Sequence, residues 1–161
     1  MNIEKIISNV TSGSDLSEDE TFQIINAIFE GKISEEKIIS FLQALSEKGE
    51  SVEEIVGAVK SMRKHSIKVN TNLKDLVDCC GTGGLGKNIM NISTCSAFVA
   101  AAGGVKIAKH GNRTSTGVSG SADILEAAGV NISIDSEQVS KCLESVGIGF
   151  MFAQNHHPGM K

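Results

Sequence analysis

The second half of the sequence alternates short apolar runs with helix-like segments, and this alternation restricts the fold more than any other feature. Four runs rich in valine and isoleucine predict β-strands: 76–80, 105–108, 130–134 and 148–153. Three segments between them have the composition of helices: 93–102, 121–128 and 136–146. Strands separated by helices form parallel sheets with right-handed crossovers. The second half is therefore expected to be an α/β domain.

The first half of the sequence has the pattern of short amphipathic helices with clear start signals. Ser17 with Glu20, and Ser51 with Glu54, have the spacing of capping boxes, in which each side chain bonds the other residue's backbone N–H. Ser34 can cap a further helix, and apolar residues at helical spacing predict another near the N-terminus. We therefore expect four helices before the α/β region.

These two patterns divide the chain into domains. Residues 1–65 are expected to form a small helical domain, residues 66–75 a polar hinge, and residues 76–161 an α/β domain. The chain has 161 residues, of which 40% are hydrophobic, which is enough for a core.

Composition argues against several classes of partner. The net charge is −4 and the basic residues are scattered, so no nucleic-acid surface is expected. No apolar stretch has the length of a membrane span, and the N-terminus has no signal-peptide core, so the predicted location is the cytoplasm. Four cysteines without a C-x-x-C pair are expected to be free, buried thiols, which suits a reducing compartment.

A glycine-rich loop follows the first predicted strand. Glycines allow the backbone to turn so that several N–H groups face one point, and the next helix directs its positive end to the same place. The residues concerned are Gly81, Gly83, Gly84, Gly86, Asn91, Ser93 and Thr94. The pattern matches neither a P-loop nor a complete G-x-G-x-x-G motif. It predicts a phosphate site, with a tight turn and helix cap that bind no ligand as the alternative.

A second long loop, residues 109–123, follows the next predicted strand. It contains the cations Lys109, His110 and Arg113, the amide Asn112 and several hydroxyls. Because the carboxyl ends of parallel strands meet at one edge of a sheet, we expect the two loops to face each other. Together they predict a ligand with two separated phosphate groups; a solvated basic loop is the alternative.

The motifs in combination resemble those of the anthranilate phosphoribosyltransferase family. They are "GTGG-x-G" followed by "NIST", then "KHGNR" with "GSADILEAAG", and "FMFAQNHHPGMK", after a region of four helices. The resemblance covers essentially the whole chain, in order and spacing. It implies an α/β domain like that of phosphoribosyltransferases and nucleoside phosphorylases. It also implies transfer of the 5-phosphoribosyl group of phosphoribosyl pyrophosphate (PRPP) to anthranilate in tryptophan biosynthesis, use of Mg²⁺, and a homodimer formed through the helical domain.

The resemblance also assigns site residues. The implied PRPP contacts are Gly81, Gly84, Leu85, Ile89, Asn91, Ile92, Ser93, Thr94, Lys109, His110, Gly111, Asn112, Arg113, Thr114, Ser115, Thr116, Gly117 and Ser121. Gly81, His110 and Asn112 would contact anthranilate, and Ser93 would lie near Mg²⁺. The segment His156-His157-Pro158 would line the approach of the acceptor, or else be a surface loop. No catalytic nucleophile is expected; Lys109 would support the leaving group.

Three positions depart from the family pattern: Leu85 where Asp is usual, Ile89 where Thr is usual, and Thr116-Gly117 where Ser-Ser is usual. Loss of the carboxylate at Leu85 is expected to change metal handling or donor affinity. The chain also ends at Lys161, before the family's acidic Mg²⁺ pair and its anthranilate-binding Arg. We therefore expect either a fragment or a partner chain that completes it, and little activity from the 161 residues alone.

Two other functions fit the same residues. One is a related enzyme with a different acceptor, either a phosphoribosyltransferase for another aromatic amine or a pyrimidine nucleoside phosphorylase, whose lysine–serine–threonine–glycine signature is absent here. The other is a binding or dimerisation module without catalysis.

Overall fold

A computed structural model of the protein describes residues 3–81, 90–114 and 119–157. The chain divides into two compact units, one comprising Met1–Ser66 with His157–Lys161 and the other Ile67–His156. The first is helical and the second combines helices with a small parallel sheet, so the predicted fold class is confirmed.

The helical unit contains the four helices that the capping signals and the apolar spacing predict. They are α1 Ile3–Thr11, α2 Glu18–Phe29, α3 Glu35–Lys48 and α4 Val52–His65. Both capping boxes are formed, at the starts of α2 and α4. Ser34 is the N-cap residue of α3, as expected, and its carbonyl accepts the N–H of Ile38, but its side chain makes no capping bond. Local start signals therefore set where these helices begin.

The core of the helical unit is aliphatic and lies between the helices. It is built around buried residues from α1, α2, α3 and the loops between them: Ile6, Val10, Leu16, Ile24, Ala27, Ile33, Phe41 and Ala44. Helix α4 approaches α2 at Gly57, where an added Cβ would lie 2.9 Å from Thr21 Cβ, 3.0 Å from Phe22 N and against the carbonyl of Glu18. The close approach of these two helices therefore requires glycine.

Gly57→Ala is expected to lower the free energy of unfolding by about 1 to 2 kcal/mol, because overpacking at a helix contact outweighs alanine's better helix propensity. Urea denaturation measures the change. Arg63→Ala, at an exposed position of the same helix, is the control and should change stability by less than about 0.5 kcal/mol. A stabilised Gly57→Ala protein would show that α2 and α4 can separate at no cost.

The α/β unit contains a short parallel pair of strands with helices between them. Its elements are α5 Ile92–Ala102, β1 Ile107–Gly111, α6 Ser121–Ala127, α7 Ser136–Ser145, β2 Ile148–Phe152 and α8 Ala153–His156. The strands run in register from Ile107 opposite Ile148 to Gly111 opposite Phe152. The three helices predicted between strands are thus confirmed, as is the strand of the fourth apolar run. The strand of the second run is present but begins at Ile107 and ends at Gly111, so Lys109, His110 and Gly111 belong to β1 and not to the loop that the sequence predicts at 109–123.

Two predicted strands are wrong. In the run 76–80, Val77 alone pairs with β1, as an isolated parallel bridge to Ile107, because the chain leaves the sheet edge immediately afterwards. In the run 130–134, a side-chain bond from the Ser133 N–H to Asn131 Oδ1 competes with ladder formation. That run still contributes buried Ile132 to the core.

Two further expectations concern thiols and membranes. All four cysteines are free, but Cys80 and Cys95 are exposed, so the expected burial is wrong for these two. Within the described residues, no helix has the length and apolar character needed to cross a bilayer.

Candidate functional site

The carboxyl end of β1, the start of α5 and the chain before the glycine-rich loop converge on Cys79. Its thiol donates to the carbonyl of Ser93, with an S···O distance of 3.2 Å. The ammonium of Lys109 lies 3.9 Å from the same sulfur. The structure therefore brings together two of the segments that the sequence places at one site, and joins them through a residue that the sequence analysis did not single out.

Lys109 is the most informative side chain of this cluster because it is buried. Only 3% of the residue is exposed, yet among the described residues its one hydrogen-bond partner is the weak acceptor Cys79 Sγ. Burying an ammonium group without an anion is costly. An anionic ligand at this end of β1 would supply the missing partner.

The start of α5 is capped by its own residues. Asn91 Oδ1 accepts the Thr94 N–H at 3.3 Å and the Thr94 hydroxyl at 2.7 Å, and Thr94 is buried. The helix-cap alternative is thus realised for these two side chains. Ser93 lies in the first turn beside them and is half-buried, and Ile92 is exposed. This end of the helix carries the positive pole of the helix dipole.

Asp78 is a site residue that the sequence analysis missed. Its Oδ2 accepts the Nδ1–H of His110 at 2.8 Å, and its Oδ1 accepts the backbone N–H groups of His110 at 3.2 Å and Cys80 at 3.0 Å. The signal that could have revealed it is a carboxylate three residues before the first glycine of a phosphate-type loop.

The Cys80 thiol has properties that argue against a nucleophile. Although the residue is exposed, partial desolvation of the thiol raises its pKa, and the negative charge of Asp78 raises it further, which outweighs the opposing effect of Lys109. A thiol with a raised pKa stays protonated and is a poor nucleophile at neutral pH.

Arg113 is engaged by carboxylates of α6. Its Nη1 donates to Asp123 Oδ1 at 3.1 Å, and its two terminal nitrogens donate to Glu126 at 2.8 and 3.0 Å. The guanidinium also lies over the ring of Phe152, 5.8 Å from its centroid. Hydrogen bonds from Arg113 hold the pKa of Glu126 below its usual value. The structure thus assigns Arg113 an ion pair with α6, and its contact with PRPP stays a prediction.

The ends of the second loop are joined by Asp123. Its Oδ2 accepts the N–H groups of Gly120 at 2.7 Å and Thr114 at 3.1 Å. These two backbone bonds, together with the weaker effect of Arg113, lower the pKa of Asp123. The loop leaves β1 and returns to α6 at a fixed point, which positions Asn112 and Thr114.

Gly111 and Ser121 meet where β1 packs against the start of α6. A Cβ at Gly111 would overlap the Ser121 hydroxyl and lie 2.6 Å from the ring of Phe150. Asn112 continues the contact, since its carbonyl accepts the Ala122 N–H at 3.2 Å and its Oδ1 accepts the Arg113 N–H at 2.8 Å. Gly111 is therefore required by packing.

The histidine pair near the end of the chain is not a surface pair. His156 is buried; its Nδ1 lies 3.2 Å from the Ile67 carbonyl, and its own carbonyl accepts the Ile67 N–H at 2.8 Å. His157 is half-buried. The surface-loop alternative is therefore wrong for His156, which fastens the end of the α/β unit to its beginning.

Several predicted site residues lie outside the described residues. These are Gly83, Gly84, Leu85, Gly86, Ile89, Ser115, Thr116, Gly117 and Pro158. Gly81 is described and exposed, at the point where the chain enters the glycine-rich loop.

Comparison with known proteins identifies the same two regions. The helical bundle domain of a glycosyl transferase family matches residues 4–66, and the a/b domain of that family matches residues 73–161. The anthranilate phosphoribosyltransferase of Acetivibrio thermocellus is 52% identical over 99% of the chain and 46% of its own length. That of Teredinibacter turnerae is 48% identical over 100% of the chain and 47% of its own length.

Solved structures agree with the sequence comparisons. Anthranilate phosphoribosyltransferase from Thermus thermophilus matches with a TM-score of 0.86 and 41% identity, over 96% of the chain and 47% of that protein. The enzyme from Saccharomyces cerevisiae in complex with PRPP and Mg matches with a TM-score of 0.84 and 29% identity, over 98% of the chain and 48% of that protein.

The chain spans about half the length of the curated relatives it matches, for example 46% of the Acetivibrio protein. The resemblance drawn from the sequence motifs is confirmed by these relatives. The a/b-domain model of the glycosyl transferase family covers residues 73–161, more than half of the chain, and the helical-bundle model covers most of the remaining residues. The chain therefore belongs to the glycosyl transferase family.

Proposed function

We propose that the protein acts as an anthranilate phosphoribosyltransferase. It would transfer the 5-phosphoribosyl group of PRPP to the amine of anthranilate, giving N-(5-phosphoribosyl)anthranilate and pyrophosphate in tryptophan biosynthesis. The observation that carries the proposal is the buried ammonium of Lys109, the central residue of β1, which has the thiol of Cys79 as its hydrogen-bond partner in the described part of the chain. Relatives of that name at about 50% identity support it.

The charges of the reaction explain these residues. Breaking the ribose C1–O bond leaves positive charge on the sugar and negative charge on pyrophosphate. Lys109 and the N–H groups of the glycine-rich loop and of α5 stabilise the departing pyrophosphate. The amine of anthranilate then bonds to C1 and loses a proton. Gly81, His110 and Asn112 would position the acceptor, which needs no covalent catalyst.

The described residues fit a Mg²⁺ ion that is held largely by the phosphate groups of PRPP. Among them no group of three His, Cys, Asp or Glu side chains could hold a metal. The Ser93 hydroxyl is a hard oxygen ligand at the start of α5, and Mg²⁺ commonly combines a few protein oxygens with substrate phosphates and water. Bound there, the ion would neutralise charge on the pyrophosphate group. The solved yeast enzyme that matches this chain contains PRPP and Mg.

The helical unit supports a proposal about assembly. Residues 1–65 would form the dimerisation domain of a cytoplasmic homodimer, with residues 66–75 as a hinge before the α/β domain. Helices α3 and α4 expose several large apolar side chains: Ile39, Leu42, Val52, Ile55 and Val59. Exposed apolar patches of this kind are typical of protein interfaces.

Calorimetric titration with PRPP, with and without Mg²⁺, tests the proposed donor site. We expect saturable binding that strengthens when Mg²⁺ is present. Ribose 5-phosphate is the matched control ligand, and it should bind much more weakly because it lacks the pyrophosphate that Lys109 faces.

The acceptor needs a separate assay. Formation of phosphoribosylanthranilate would support the proposal, whereas phosphorolysis of thymidine or uridine would replace it with the nucleoside phosphorylase alternative. No heat with millimolar PRPP would contradict a donor site in this chain.

A further inference from the structure

Asp78 occupies a position where a regular parallel ladder is interrupted. Val77 pairs with β1 as a strand would: its N–H donates to the Lys106 carbonyl at 3.0 Å, and its carbonyl accepts the Ala108 N–H at 3.0 Å. Continuation of that ladder would give the His110 N–H to the carbonyl of Cys79. Asp78 Oδ1 accepts it instead, at 3.2 Å.

The Asp78 carboxylate therefore takes the place of the Cys79 carbonyl as the acceptor of the His110 N–H. The chain can therefore leave the sheet edge from Cys79 onward, because the His110 N–H on β1 still has an acceptor. The same oxygen accepts the Cys80 N–H at 3.0 Å, which fixes the direction in which the chain turns toward Gly81. One side chain thus determines where the glycine-rich loop begins relative to β1.

The two ends that Asp78 joins both belong to the proposed donor site. Cys79, directly after it, contacts Ser93 and Lys109. On β1 the imidazole of His110 donates Nδ1–H to Asp78 Oδ2 at 2.8 Å, which selects one tautomer and one orientation of the ring. Three N–H groups in all donate to the oxygens of this carboxylate, two from His110 and one from Cys80.

We propose that Asp78 is a positioning residue of the PRPP site, holding the start of the glycine-rich loop and the His110 ring in the geometry that binds the donor. This inference rests on the proposed function. It differs from a contact role because Asp78 acts through Cys80 and His110.

Asp78→Asn tests the inference, since it removes the charge at nearly constant shape. Asp75→Asn is the matched control: Asp75 is exposed, lies three residues earlier and has a φ of 58°, which asparagine tolerates well. We expect Asp78→Asn to weaken PRPP binding by about tenfold or more, and Asp75→Asn to change it by less than about twofold. Both variants should unfold at similar temperatures, because a positioning defect leaves the core intact.

Hydrogen exchange gives a second measurement that needs no ligand. In Asp78→Ala, which removes the oxygen that asparagine would keep as an acceptor, the amides of Cys80 and His110 should exchange faster, while the Ala108 amide, bonded to the Val77 carbonyl, should keep its protection. PRPP affinity equal to that of Asp75→Asn, or unchanged exchange at both amides, overturns the inference. Failure of the unsubstituted protein to bind PRPP would instead contradict the proposed function, and exchange alone would then decide whether Asp78 fixes the loop. If Asp78→Asn does not fold, Asp78→Glu, which displaces the carboxylate by one methylene, gives the same comparisons.

Discussion

Lys109→Met is expected to weaken PRPP binding by roughly a hundredfold, because truncating one partner of a desolvated charge pair removes several kcal/mol of binding energy. Methionine fills a volume close to that of the lysine stem, so the buried position stays packed. The unliganded protein should be as stable as before or more stable, since a buried ammonium without an anionic partner opposes folding. Calorimetric titration with PRPP and Mg²⁺ measures the affinity, and thermal unfolding measures the stability.

Lys106→Met is the control for this substitution. It removes the same charge from the same part of the chain, but the Lys106 side chain is half-exposed and makes no ion pair in the part of the chain that the structure describes. Its effect on PRPP affinity should stay below about threefold. Equal losses of PRPP affinity in the two variants would mean that binding depends on the overall positive charge of this region and not on the buried Lys109 ammonium. Failure of Lys109→Met to support growth of a tryptophan auxotroph, in the longest available form of the protein, would extend the result to catalysis.

Glu54→Ala is expected to lower the free energy of unfolding by about 3 to 5 kcal/mol, as removal of one partner of a buried ion pair does. Glu54 is 1% exposed. Its Oε1 accepts the Leu16 N–H at 2.9 Å, and its Oε2 accepts the Ser51 N–H at 2.7 Å and the Lys48 ammonium at 2.9 Å. The substitution leaves all three donors without this acceptor. Urea denaturation of the protein and the variant measures the difference.

Glu53→Ala is the matched control, because Glu53 is the preceding residue of α4 and is exposed. Glu53→Ala removes the same negative charge from the first turn of α4 as Glu54→Ala does. It should lower the free energy of unfolding by less than about 1 kcal/mol. Similar losses from the two substitutions would show that the buried network contributes little. Glu54→Gln should fall between them, since an amide oxygen can still accept one or two of the bonds.

The pH dependence of this contribution follows from the pKa of Glu54. Burial alone would raise it, but hydrogen bonds from Lys48, Ser51 and Leu16 outweigh burial and hold the pKa below its usual value of 4.5. A carboxyl with a lowered folded pKa stabilises the protein fully above its unfolded pKa, and this stabilisation disappears as the pH falls through the folded value. The stability gap between the protein and Glu54→Gln should therefore be constant near neutral pH and close as the pH falls below 4.5 toward the lowered folded pKa.

Features encoded by neighbouring residues could be predicted from the sequence. The capping boxes Ser17–Glu20 and Ser51–Glu54 need only residues three positions apart, so the starts of α2 and α4 are readable directly. The glycine-rich loop is equally local, because glycine at a strand end permits backbone geometry that other residues resist. Lys109 was expected at the site from the motif around it.

Features that depend on a distant partner could not be predicted in the same way. The run 76–80 is apolar enough for a strand, yet pairing ends at Val77 because the Asp78 carboxylate takes the N–H of a residue 32 positions away. Glu54 reads as half of a capping box, and only packing against the loop at Leu16 buries it. Arg113 reads as a ligand for phosphate, and only the position of α6 gives it two carboxylates.

The sequence by itself determined the two-part organisation, the order of helices and the family, because periodicity, caps and ordered motifs are properties of short stretches. Tertiary structure alone decided which polar groups are buried and what they face. It placed the Lys109 ammonium in the interior beside a thiol, and it set Asp78 between two loops. The physical reason is that desolvation and hydrogen bonding depend on atoms that the fold brings together. The same lysine or aspartate on an exposed loop would be solvated by water and would make none of these contacts.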